Sequence, residues 1–284
     1  MPSTLGQRYY NRVGHLEIED FGNLPEGLDI KFDVKKFGNF NVQFSAGVLG
    51  LSSDHVNELT VWNPVDALSK SREIKVFAGY ESDSLKSPIA KGFIFKAMPT
   101  SPPEMWVNFD CMVSIKNKFP IEQEEHMRNV GIGEVAQKIC KLNEYDFTWK
   151  SEIPKDTKVN FMISGSPDDL VKRFEAAFNI VAVLDDKNII TFYDNKAWNK
   201  LSVPNNISTV INTETGLLMV GNVDMAGATV RTRLNDRYQL FDWVRLESSL
   251  IPKANGNYFV LSKRHVGHLR GNEWYTELQM IRRG

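Results

Sequence analysis

His265 and His268, followed closely by Glu273, come nearest in this chain to a set of metal ligands. Imidazole and carboxylate are ordinary ligands for divalent transition metals. The segment HVGH lies in an alternating stretch that reads as a strand, where side chains at i and i+3 point to opposite faces, so the two read as surface or turn histidines. His55 beside Asp54, with Ser52 and Ser53, supplies the residue types of a nucleophilic relay. Adjacency in sequence does not supply the geometry, which needs a serine held near the base by a separate segment. Glu122, Glu124 and Glu125 suggest a glycosidase pair, but the acid of such a pair needs burial to raise its pKa, and these sit in a polar stretch that reads as solvated. Gly131 and Gly133 open a helical segment, yet GIGEV lacks the third glycine and the long preceding strand of a dinucleotide fingerprint, and reads as a flexible helix entrance. The sequence therefore implies no catalytic residue, no metal and no cofactor.

Composition agrees with a packed, unspecialised chain. The 284 residues suffice for two or three domains, and 42% hydrophobic with 24% charged residues is ordinary for a folded protein. Thirty-four basic against 35 acidic residues leave a net charge of −1, which argues against a dedicated nucleic-acid binder. Cys111 and Cys140 are the only cysteines. Without a CxxC or a histidine pair they form neither a zinc site nor a disulfide framework, and they read as reduced structural thiols. The amino terminus is polar and is no secretory signal, and no apolar run reaches the roughly 20 residues of a spanning helix.

The elements that would position these groups are mostly strands. Arg72 to Phe95 reads as two strands around a polar loop, with Gly79 and Gly92 marking bends or close backbone approach. Val13 to Ile18, Leu28 to Val34, Asn41 to Phe44, Glu58 to Pro64 and Trp106 to Ile115 are further strand candidates. Ser45 to Asn57 reads as a flexible loop whose Val48, Leu49 and Leu51 must bury against the chain or a partner. Asn117 to Arg128 reads as a connection. Ile132 to Leu142 then places Ile132, Val135, Ala136, Ile139 and Leu142 on one helix face. In SPDDLVKRFEAAFN, Ser166 caps, Pro167 fits the first helical position, and Leu170, Phe174, Ala177 and Phe178 form the expected stripe. Strands are expected at Phe147 to Trp149, Lys158 to Ile163, Ile180 to Leu184 and Asn188 to Tyr193. Beyond Trp198, five segments read as strands: Thr209 to Val220, Ala228 to Leu234, Trp243 to Glu247, Tyr258 to His268 and Trp274 to Ile281.

The order LDIKFDV, ELTVWNP, EIKVFAGY, IAKGFIF resembles the first domain of bacteriophage baseplate hub proteins, through Phe32 and Val34, Leu59 to Asn63, Val76 to Tyr80, and Gly92 with Ile94. The last third continues the resemblance at Thr215 to Leu217, Val244 to Ser248, Tyr258 with Val260, His265 and His268, and Trp274 with Thr276. It departs from the family at Asp242 and Trp243, where a glycine is usual.

The resemblance implies an α+β, mostly β fold, with two tail-tube-like β-barrel or sandwich domains (1–127 and 199–284) flanking a small α/β domain (128–198). It also implies a non-enzymatic virion protein assembled in the host cytoplasm. Such a protein is a homotrimer joining a six-fold tail tube to a three-fold central spike, touching other baseplate proteins and passing DNA through its lumen. The expected interface residues are Arg8, Tyr9 and Tyr10 of an N-terminal arm, with Val48, Leu49 and Leu51. The alternatives are the hub of a bacteriocin or secretion-system particle, and a tail-associated cell-wall hydrolase.

Overall fold

The computed structural model describes residues 11–24, 27–37, 43–60, 72–82, 85, 87–113, 121, 124–185, 189–224 and 226–282. The middle of the chain follows its local signals closely. Ser166 Oγ accepts from the Asp169 amide at 3.2 Å, Pro167 opens helix α3 (Pro167–Phe178), and Asn179 closes it with a left-handed φ of 53°. Leu170, Val171 and Phe174 are buried together with Pro167 and Asp168; of the expected stripe Phe178 is only partly buried and Ala177 is exposed, and Val171 takes its place. Replacing Ser166 by alanine removes the cap acceptor and is expected to cost about 1 kcal/mol, measured by urea unfolding.

Around α3 stand β8 (Glu125–Gly131), α2 (Ile132–Leu142), β9 (Asp146–Trp149), β10 (Lys158–Ile163), β11 (Ile180–Leu184), β12 (Ile189–Asp194) and α4 (Asn195–Asn199). Apart from α4, they share one hydrophobic cluster running from Ile132 to Phe192. The connection expected through Arg128 is thus shorter, because β8 pairs with β10. Gly131 and Gly133 are not a flexible entrance. Both have ordinary backbone geometry for helix entry, and a Cβ on either would come within 3 Å of Lys155, so their smallness seats the helix against the 154–157 turn.

The remaining strands are β1 (Arg12–Ile18), β2 (Gly22–Asn23), β3 (Asp29–Phe37), β4 (Gln43–Leu49), β5 (Glu73–Tyr80), β6 (Ala90–Pro99), β7 (Trp106–Met112), β13 (Val210–Ile211), β14 (Leu217–Val223), β15 (Gly227–Arg233), β16 (Trp243–Leu246), β17 (Gly256–His268) and β18 (Trp274–Ile281). Among the described residues these thirteen form one sheet. Two expectations fail here. Ser45 to Asn57 is strand β4 followed by helix α1 (Ser53–Thr60) rather than a loop, and Glu58 to Thr60 end that helix rather than start a strand. The rest of ELTVWNP lies outside the described residues.

The sheet repeats itself. Its eight-strand row reads β14-β15-β18-β17 and then β3-β4-β7-β6, each set ordered as first, second, fourth and third strand along the chain. Within each set a further strand lies against the start of the third: Glu73–Val76 of β5 on Ala90–Phe93 of β6, and Trp243–Leu246 of β16 on Gly256–Phe259 of β17. Even the irregularity recurs, since the third strand slips by one residue against the fourth at Phe95 in one set and at Leu261 in the other. Neighbours along the row are all antiparallel, so the sets run in the same sense.

Candidate functional site

The two sets meet where β17 pairs with β3, from Ser262 opposite Phe37 to His268 opposite Lys31. This seam has a dry side and a polar side. On the dry side Gly267 lies between Phe32 on β3 and Trp274 on β18, and the two rings meet edge to face at 5.5 Å. A Cβ at Gly267 would overlap the Phe32 ring, so the glycine makes room for the aromatic pair. Both rings belong to the first core cluster, although Trp274 comes from the last strand of the chain.

On the polar side, charges of opposite sign follow one another across the strands. Arg231 Nε donates to Glu277 at 2.8 Å, Glu277 lies opposite Arg264, and Arg264 grips Asp33 with two bonds of 2.7 and 2.5 Å. Hydrogen bonds to these carboxylates hold both guanidinium pKa values above their ordinary range. Ser45, Asp110 and Lys96 continue the row over β4, β7 and β6. At one end of the seam His268 Nε2 meets Asp29 at 2.9 Å and its ring packs edge-on to Trp106. Such pairs carry their charges into the face already neutralised.

His265 is buried, not on the surface as its sequence suggested. Thr276 Oγ1 donates to the Asn235 carbonyl at 3.0 Å and accepts from the Asn235 amide, which leaves His265 Nδ1 as donor to Thr276 at 2.9 Å. Its Nε2 faces Asp236 at 3.6 Å. Burial pushes the imidazole pKa down to about 4, so it is neutral at physiological pH. Beside it the fully buried Lys263 donates to Asp236 at 2.6 Å and to the Tyr238 carbonyl at 3.1 Å. Against the opposing effect of burial, the nearby Lys263 and Lys36 hold the Asp236 carboxyl well below its ordinary range. His265 and His268 thus serve different neighbourhoods, and the described residues hold no group of three or more metal-ligating side chains.

The remaining candidates are accounted for by local structure. Ser52 Oγ accepts from the His55 amide at 3.3 Å at the start of α1, a capping arrangement rather than a relay. Glu124 is exposed, Glu125 pairs with Lys138 at 2.9 Å, and Glu122 lies outside the described residues. Cys111 and Cys140 are free and buried in separate clusters, their thiol pKa values raised by burial, that of Cys140 to about 12. Arg8, Tyr9 and Tyr10 lie outside the described residues. Val48 and Leu51 are buried in the first core cluster, and Leu49 is partly exposed. Sequence reading missed the Gly267 and Phe32 contact and the Lys263 cluster.

A long sheet whose polar face carries cross-strand ion pairs, with its two histidines held in structural contacts, suits the framework of an assembly protein. The chain belongs to the baseplate hub gp41 family, which it matches over residues 14–280, and is a structural, non-enzymatic component of a phage tail baseplate. No curated protein matches the sequence. Among solved structures it is similar to a tail protein from Neisseria meningitidis MC58, at 8% identity and TM-score 0.63, covering 97% of this chain and 98% of that one. The 43 kDa tail protein of prophage MuSo2 from Shewanella oneidensis shares the fold at 7% identity and TM-score 0.63, with 96% and 97% coverage. The E. coli c3393 protein, a component of the type VI secretion system, is similar at 10% identity and TM-score 0.57, with 95% and 77% coverage.

Proposed function

We propose that three copies of this chain form a hub joining a six-fold tail tube to a three-fold central spike within the virion, after assembly in the bacterial cytoplasm. The observation that carries this reading is the repeated strand order along one row. A chain with two equivalent tube-like units, placed in 1–127 and 199–284 around a small α/β domain at 128–198, supplies six units as a trimer and still presents three-fold symmetry. In this reading the polar face with Arg231, Glu277, Arg264 and Asp33 lines the lumen, where alternating charge lets DNA pass without being held. The Arg8, Tyr9 and Tyr10 arm docks on a neighbour, and of Val48, Leu49 and Leu51 it is Leu49 that keeps surface to offer. Tube, spike and surrounding baseplate proteins are the partners.

Mass measurement in solution tests the proposal. A species of three times 32.4 kDa that binds both tube and spike subunits is expected. A persistent monomer that binds neither overturns it.

A further inference from the structure

Where the small α/β unit meets the first set of strands the chain leaves a cavity of about 500 Å³, within the size range of ordinary ligand sites. One wall is apolar sheet. Phe44 of β4 and Phe93 of β6 stand there with Phe37, the last residue of β3, which is 45% exposed. The other wall is the turn that ends α2, Asn143 to Tyr145, with Leu184 and Asp185 from the end of β11.

This second wall is negative on several counts. Asn143 is the C-cap of α2, so the wall carries the negative end of the helix dipole, where cations are stabilised. Glu144 and Asp185 add carboxylates; burial, and then the fields of Asp168 and Glu144, push the Tyr145 hydroxyl pKa up to about 12. Asn143 itself is only 3% exposed. Its Nδ2 donates to the Ile139 carbonyl at 2.9 Å, but its Oδ1 has no hydrogen-bond partner. A buried acceptor left without a donor is costly and rare. The two lysines of the cavity have carboxylates of their own: Lys91 Nζ lies 3.0 Å from Glu73, and Lys36 acts on Asp236.

We infer that this cavity receives a cationic side chain on an apolar stem, an arginine or lysine within a short segment of a partner protein. The charge sits at the Asn143–Tyr145 turn, where it supplies the donor that Asn143 Oδ1 lacks and meets the helix C-terminus and the carboxylates. The stem and its apolar neighbours in the segment lie on Phe37, Phe44 and Phe93, whose rings also suit a cation. A peptide segment covers this aromatic wall, which a small free cation leaves exposed. The site lies within one copy of the chain and is independent of the trimer.

Titration calorimetry of the full-length protein with acetylated, amidated Leu-Arg-Leu tests the site. The same peptide with citrulline, a neutral isostere, in place of arginine and the small cation agmatine serve as comparisons. The arginine peptide is expected to bind more tightly than either by roughly tenfold or more, the worth of one charge-assisted hydrogen bond. Glu144→Lys changes an exposed position, so it should leave the far-ultraviolet circular dichroism spectrum unchanged and weaken the arginine peptide by a similar factor. Asn143→Ala should weaken it too. Equal affinity for the arginine and citrulline peptides overturns the assignment of a cation, and agmatine binding as tightly as the peptide overturns the partner segment. Unchanged affinity in Glu144→Lys, or no measurable binding to the unaltered protein, overturns the site.

Discussion

Gly267→Val is expected to destabilise the chain by about 3 kcal/mol or more, measured by chemical denaturation followed through tryptophan fluorescence. The overlap falls on the Phe32 ring, which is itself held by Trp274 and by the first core. Overpacking a filled site costs about 1–3 kcal/mol when neighbours can shift. Here the residue sits opposite Phe32 on one neighbouring strand and Trp274 on the other, so both pairings must yield. Phe32→Ala alone opens a cavity and should cost about 3–5 kcal/mol. Combined, the two substitutions should cost clearly less than their separate effects added, because alanine vacates the space that valine needs. Simple additivity would show that the ring does not rest on the glycine.

Asp236→Asn is the second large effect, expected at about 3 kcal/mol. Lys263 and Lys36 lie directly opposite one another across the seam, and Asp236 is the carboxylate between them. Like charges opposite each other are unfavourable, and removing one partner of a buried pair leaves the other uncompensated. The low end of the usual 3–5 kcal/mol range applies because the Asp236 side chain is 41% exposed while Lys263 is fully enclosed. Lys263→Met should cost much less, since it removes the enclosed charge and leaves a carboxylate that water can reach.

The same cluster sets an acid response. His265 has its pKa lowered by burial from 6.5 to about 4, and Lys263 and Lys36 act in the same direction while Asp236 opposes them. Between those two values the unfolded chain binds a proton that the folded chain refuses, so stability falls as pH drops from 6.5 toward 4. The full loss is roughly 3 kcal/mol at 1.4 kcal/mol per pKa unit. Urea midpoints measured from pH 7 to pH 4.5 should decline, and His265→Gln should flatten the decline over that window.

Much of the element pattern was written locally. Lys158 to Ile163 is a strand at those bounds, and Ser166 with Pro167 starts α3. The motif Ile74-Lys75-Val76 and its counterpart Val244-Arg245-Leu246 share an apolar, basic, apolar rhythm that marks both as strands flanking a third. Ser45 to Thr60 misled for a physical reason. Gly47 looks like loop composition, but a Cβ there would meet Lys31 and Asn108, so the glycine belongs to a strand crowded on both sides. His265 misled because β17 is covered on both faces near its middle, which erases the alternation by which an outward residue is known. The seam could not be read at all, since no local pattern states which distant strand will lie alongside β3.

Arg264 and Asp33 stand 231 positions apart in the chain. The small α/β unit and most of the last set intervene, so β3 must wait for nearly the whole polypeptide to leave the ribosome before its permanent neighbour exists. During synthesis its open side is exposed to other nascent chains, and closure of so long a loop comes late. The order of manufacture thus gives the final strands a second duty: their arrival ends the interval in which the growing molecule is most prone to go astray.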